Sequence, residues 1–170
     1  MKNFMSPRGF TLIETLIYVA IFGILVTALT SFASALITTR IANQLVFEVN
    51  DQGSQAIKIL TQTLRNAKQV NSPTIGNTAA NLSIVTESPA TSPTVFSASG
   101  GVLYITEGSD SSVALTNKNV TVSNLLFSNV SHATTPNSIK VSFTLTSTST
   151  KSSIVAPYTA TFDGTGTLRK

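Results

Sequence analysis

An uncharged apolar segment near the amino terminus constrains the fold of this chain more than any other feature. No Asp, Glu, Lys or Arg occurs from Thr15 to Thr39, and the segment contains no proline. About 20 apolar residues are enough for a helix to span the hydrocarbon core of a bilayer. Because Lys2 and Arg8 precede the segment, the sequence predicts a single-pass membrane helix whose amino terminus stays cytoplasmic while the rest crosses.

A carboxylate, Glu14, lies at the start of this apolar run, which opens with Gly-Phe-Thr-Leu-Ile-Glu at residues 9–14. Ionisable groups in membrane segments are energetically costly and usually functional. One alternative is an ordinary secretory signal peptide, cleaved after Ala33-Ser34-Ala35 to leave a chain that starts at Leu36. The run exceeds the roughly 7–15 apolar residues of such signals, and the carboxylate also disfavours this alternative. If the segment is a membrane helix, the alternative to a functional Glu14 is a carboxylate that has no partner and either stays protonated or extends to the membrane interface.

The helical pattern continues beyond the uncharged segment. From Ile41 to Ala67, apolar residues recur at three- and four-residue steps, with one larger gap around Gly53, and most charges fall off this stripe. Asn71-Ser72-Pro73 is a stop signal, so one helix is predicted from about Phe10 to about Gln69, on the order of 90 Å long. Gly53 is expected to mark a bend or a close contact. We expect the stripe to pack on the carboxy-terminal half of the chain.

From Thr74 onward, short alternating apolar and polar stretches predict strands. The clearest is Ser138–Ser147. Ile154–Phe162 follows, and Pro157 predicts that it lies at an edge of the sheet. Asp163-Gly164 is a hairpin signal before a short last strand near Thr167–Arg169. Earlier candidates are Leu82–Thr86, Thr94–Ser97, Val102–Thr106, Val113–Leu115 and Val120–Phe127.

The predicted fold class is therefore α+β. A long amino-terminal helix, transmembrane in its first half and amphipathic in its second, would cover one face of an antiparallel β-sheet head. The segment from Asn71 to Ala98 is rich in Ser, Thr, Asn and Pro and is expected to be loop-heavy and variable in structure around its two candidate strands.

No pattern in the sequence indicates catalysis, a cofactor or a metal. There is no Cys, and His132, the only His, is expected at the surface because no catalytic motif accompanies it. A calcium site at Glu107–Asp110 is disfavoured because one short acidic loop supplies too few oxygen ligands. The net charge is +4, of which Lys2 and Arg8 contribute two, and the remaining +2 without a basic cluster gives no strong nucleic-acid signal.

The amino-terminal residues resemble the prepilin signal of type IV pilins and type II secretion pseudopilins. The similarity consists of a basic leader with Lys2 and Arg8, then Gly9, Phe10, three further residues and Glu14, followed by the long apolar run. It implies that a membrane prepilin peptidase cleaves between Gly9 and Phe10 and then methylates the new amine of Phe10. It also implies that Glu14 pairs with that amine on a neighbouring subunit during assembly. Buried ion pairs of this kind specify registry more than they add stability.

The resemblance implies four segments: a leader at 1–9, a transmembrane and filament-core helix at 10–39, an amphipathic helix at 40–70 and a β-rich head at 71–170. The partners implied are the prepilin peptidase and N-methyltransferase, other pilin or pseudopilin subunits, an inner-membrane assembly platform with its ATPase, and membrane lipid. The chain would be held in the cytoplasmic membrane with its head outside, and reach the periplasm or cell surface once assembled. No Pro in the apolar run and no Cys favour a minor pilin or pseudopilin over a major pilin. The order of helix, irregular polar segment and antiparallel strands is similar to that of the larger, J-type minor pseudopilins.

Two other functions compete with the filament subunit. A membrane-tethered extracytoplasmic adhesin or binding module would use the helix only as an anchor and bind a surface or glycan through its Thr-rich head. A secreted hydrolase is the third interpretation, and no motif in the sequence supports it.

Overall fold

A computed structural model describes residues 9–132, 137–148 and 155–169 of the chain. The leader charges Lys2 and Arg8 and the start of the predicted strand at Ile154 lie outside these residues. The chain divides into two compact units, Met1–Arg40 and Ile41–Lys170. A single helix, α1 (Leu12–Arg65), contributes to both of them.

The first half of α1 buries none of its apolar side chains within the chain. Its most apolar window has a mean hydropathy of 2.3, is wholly exposed, and is long enough to cross a membrane. An exposed apolar surface of this size needs a covering of lipid or protein. The predicted single membrane-spanning helix is therefore consistent with the structure.

The second half of α1 presents one buried stripe at helical spacing. Its members are Leu45, Val49, Gly53, Ala56, Leu60 and Leu64. Most of this stripe, from Val49 to Leu64, packs into a core with buried side chains from the strands that follow, among them Leu82, Phe96, Phe127 and Phe143. The prediction that the amphipathic half packs on the carboxy-terminal part of the chain is confirmed.

The described strands form two antiparallel sheets. They are β1 (Ala67–Ser72), β2 (Thr78–Ala79), β3 (Leu82–Thr86), β4 (Thr94–Ser99), β5 (Val102–Glu107), β6 (Val113–Ala114), β7 (Val120–Asn129), β8 (Ser138–Ser147) and β9 (Thr159–Thr167). One sheet has the order β1-β3-β4-β5-β6 and the other β2-β7-β8-β9. The α+β class is confirmed, but the head contains two sheets where one was expected.

The carboxy-terminal end of α1 differs from the prediction. The helix stops at Arg65, not near Gln69, and β1 begins at Ala67. Strand β1 pairs with β3, so that Val70 lies opposite Ile84. Backbone pairing with a neighbouring strand overrides the local helical pattern here. Residues 71–98 contain the predicted strand β3 and most of β4, with turns and loops between the strands.

The prediction of a hairpin turn at Asp163-Gly164 is wrong. Both residues lie inside β9, where Asp163 pairs with Ser142 and Gly164 with Val141 of β8. A Cβ at Gly164 would approach Ile57 of α1 to 3.1 Å. The glycine therefore permits the helix to approach the sheet closely, and β9 is an edge strand that begins after Pro157, in keeping with the predicted edge position.

Candidate functional site: the amino-terminal turn of α1

Three side chains form a group at the start of α1. Phe10, Glu14 and Tyr18 follow one another at four-residue intervals, which places them on one face of a helix. The Tyr18 hydroxyl donates a hydrogen bond to Glu14 Oε1 at 3.2 Å. The rings of Phe10 and Tyr18 meet edge to face, with centroids 6.2 Å apart.

Thr11 caps the helix immediately before Leu12. The Glu14 N–H lies 3.1 Å from the Thr11 carbonyl oxygen and 3.4 Å from Thr11 Oγ1. A Thr followed three residues later by Glu matches the spacing of a capping box, and a carboxylate in the first turn interacts favourably with the helix dipole. These local effects fix the position of Glu14, while its carboxylate is directed towards Tyr18.

Hydroxyl groups along the apolar segment are satisfied by the helix itself. Each donates to a backbone carbonyl three or four residues earlier; they belong to Thr15, Thr27, Thr30, Ser31, Ser34, Thr38 and Thr39. Side chains bonded in this way are compatible with a hydrocarbon environment. Glu14 is the exception, because an ionised carboxylate has acceptor sites for about four hydrogen bonds and Tyr18 fills one.

The predicted cleavage site is open to solvent. Gly9 and Phe10 precede α1, and the Phe10 side chain is 77% exposed. Nothing lies within 4 Å of the position that a Cβ on Gly9 would take. Among the described residues, nothing therefore covers the peptide bond between the two residues.

The sequence reasoning placed Gly9, Phe10 and Glu14 at this site but missed Tyr18. The signal was its spacing, since a hydroxyl four residues after a carboxylate can reach it along a helix. Of the other residues considered, His132 is exposed, as predicted, and Glu107–Asp110 forms a turn in which the Asp110 N–H donates to the Glu107 carbonyl. Within residues 9–132, 137–148 and 155–169, no group of three or more His, Asp or Glu is arranged to hold a metal ion.

A comparison with known protein families matches this part of the chain. Residues 5–30 match a family model described as the prokaryotic N-terminal methylation motif. This range includes Phe10, Glu14 and Tyr18, and it leaves the whole β-rich half of the chain unmatched. No curated protein and no solved structure matches the chain.

Proposed function

We propose that this chain, whose N-terminal methylation motif indicates the type IV pilin and pseudopilin family, is a structural filament subunit that is processed at Gly9 and assembled through α1. The observation that carries the proposal is the combination of this motif with an exposed apolar helix that bears a carboxylate in its first turn. A structural subunit has no need of an active site.

The exposed apolar side chains in the first half of α1 need a cover both before and after assembly, and in this proposal the cover changes from lipid to protein. Before assembly its apolar side chains lie in the cytoplasmic membrane, with the head on the far side. In the filament they are covered by the same segment of neighbouring subunits. Each large apolar side chain that is covered in this way contributes roughly 1.5–3 kcal/mol relative to exposure in water, so an uncovered helix is strongly disfavoured.

In this proposal the Glu14 carboxylate forms an ion pair with the amine of Phe10, a group that exists only after cleavage. Cleavage after Gly9 leaves a cationic, methylated amine at Phe10, close to the start of the helix. The Glu14 carboxylate of a neighbouring subunit neutralises this amine and sets the axial register between the two helices. Tyr18 holds the carboxylate by its hydrogen bond and leaves its remaining acceptor sites open.

More specifically, we propose that the chain is a minor subunit of a pilus or a pseudopilus. The lack of proline between Thr15 and Thr39 and the lack of Cys support it. The proposed partners are the prepilin peptidase that also methylates Phe10, other subunits of the same filament, and the membrane platform and ATPase that drive assembly.

The test is to express the full chain with and without a prepilin peptidase and to sequence its amino terminus. We expect N-methyl-phenylalanine at Phe10 with the peptidase and an uncleaved chain without it. A mature chain that begins at Leu36 would instead show an ordinary secretory signal peptide and would rule the proposal out.

A further inference from the structure

A polar cleft lies in the head where α1 ends and β1 begins. Two adjacent cavities of about 700 and 870 Å³ share Arg65, Asn66 and Arg169 as lining residues. Cavities of this size are typical of sites for small ligands or short stretches of a polymer.

The backbone brings the two arginines together. The Arg169 N–H donates to the Arg65 carbonyl at 3.3 Å, at the carboxy-terminal end of the helix. Leu168, which is 6% exposed, anchors the chain next to it in the core. Both arginine side chains are exposed and line both cavities, so they face the same space from two chain segments about 100 residues apart in sequence.

Among the described residues, neither guanidinium group forms an ion pair with an acidic side chain. The ion pairs between described residues are Lys68–Glu87, at 3.7 Å, and Lys140–Asp163, at 3.8 Å. Arginine presents its donors in a planar fork that matches a carboxylate, and two forks in one cleft can hold one or two such groups. The cleft is therefore suited to an anionic ligand.

We propose that this cleft binds the carboxylate groups of an acidic polysaccharide. Glu87 and Glu107 also line the first cavity. Lys68, which pairs with Glu87 at 3.7 Å, lines the same cavity. Carboxylates accept hydrogen bonds from hydroxyl groups, of which each sugar of a polysaccharide presents several and a nucleic-acid backbone few.

The remaining lining supports a sugar over the other polyanions. Three hydroxyl-bearing residues, Thr63, Ser88 and Thr91, line the same cavity. None of the described residues that line either cavity is aromatic, so nucleic-acid bases find no stacking surface there. A glycan with one carboxylate per sugar and many hydroxyls matches both the two arginines and the polar acceptors.

The test measures binding of oligogalacturonate to the full chain in detergent micelles by calorimetry. We expect Arg65→Gln with Arg169→Gln to weaken binding roughly tenfold or more, because two charge-assisted contacts are lost. Lys58→Gln with Lys118→Gln removes the same total charge outside the cleft and should leave the affinity within about twofold, as expected for solvent-screened charges. Unchanged thermal unfolding shows that both double variants are folded.

A second variant separates geometry from charge. Arg65→Lys with Arg169→Lys keeps both charges but removes the planar forks, so we expect affinity between those of the wild type and the glutamine variant. The proposal is overturned if the wild type does not bind oligogalacturonate or if the two glutamine variants lose affinity equally. Tighter binding of a single-stranded oligonucleotide than of oligogalacturonate would overturn it in favour of a nucleic acid. None of these outcomes bears on processing at Gly9, so the proposed function stands or falls separately.

Discussion

The two halves of α1 are built for different surroundings although they belong to one continuous helix. From Leu12 to Thr39, apolar residues cover the whole circumference and hydroxyl groups are bonded to the helix backbone. From Ile41 to Arg65, apolar residues form one stripe that the head buries, and the opposite face is mostly polar, with Phe47 73% exposed. A helix that is apolar on all sides needs lipid or other helices around it, whereas an amphipathic helix can bury its apolar stripe against its own domain.

The two halves also use their acidic residues differently. Glu48 accepts hydrogen bonds from Asn117 Nδ2 at 2.7 Å and Asn119 Nδ2 at 3.3 Å, so it ties the loop before β7 to the helix. Among the contacts of the described residues, the Glu14 carboxylate bonds only to Tyr18, a neighbour in its own helix. The first contact stabilises the folded subunit, whereas the second leaves other acceptor sites of the Glu14 carboxylate unused by the described residues.

The largest expected effect comes from removing apolar bulk in each half. Leu60 is completely buried in the core, and Leu60→Ala should lower the free energy of unfolding of the head by about 2–5 kcal/mol, since it leaves a cavity. Leu25 is 55% exposed, and Leu25→Ala should leave it nearly unchanged. Urea unfolding of the full chain in detergent, followed by circular dichroism, measures both. Equal losses would show that the first half also packs on the folded subunit.

A smaller effect distinguishes the two glycines of the helix. A Cβ on Gly53 would lie 2.3 Å from the Phe162 ring, which is stacked on Phe143 with centroids 5.7 Å apart. Gly53→Ala should therefore destabilise the head by about 1–3 kcal/mol, despite the better helix propensity of alanine. No atom lies within 4 Å of the same position on Gly23, so Gly23→Ala is the matched control and should not destabilise. A neutral Gly53→Ala in the same urea unfolding would mean that Gly53 marks a bend and not a close contact.

The sequence predicted those elements whose local pattern agrees with their packing. Strands β3 and β8 have the predicted bounds, because in both the apolar side chains alternate towards the core. The match of residues 5–30 to the methylation motif includes Gly9, Phe10 and Glu14, and such a motif can be recognised because it is a pattern of local sequence and not of tertiary contacts.

The elements that were missed depend on distant partners. Asp163-Gly164 has the composition of a turn, yet Gly164 and Gly166 lie in β9, where a Cβ on Gly166 would come within 2.8 Å of Leu64. The close approach of helix and sheet selects glycine at these positions, and this cannot be seen in a short window of sequence. The cleft at Arg65 and Arg169 has the same origin, since the two residues meet only through the fold.

The most direct test of the account is to compare the two acidic residues in filament assembly. Glu14→Ala and Glu48→Ala are expressed with a prepilin peptidase in a host that assembles the filament, and the amount of each variant in sheared filaments is measured. Glu14→Ala should be cleaved normally but incorporated about tenfold less or worse, because an unpaired amine costs roughly 3–5 kcal/mol per contact. Glu48→Ala should be incorporated normally and lose only about 1 kcal/mol of head stability. Normal incorporation of Glu14→Ala would contradict the claim that this carboxylate is reserved for a neighbouring subunit.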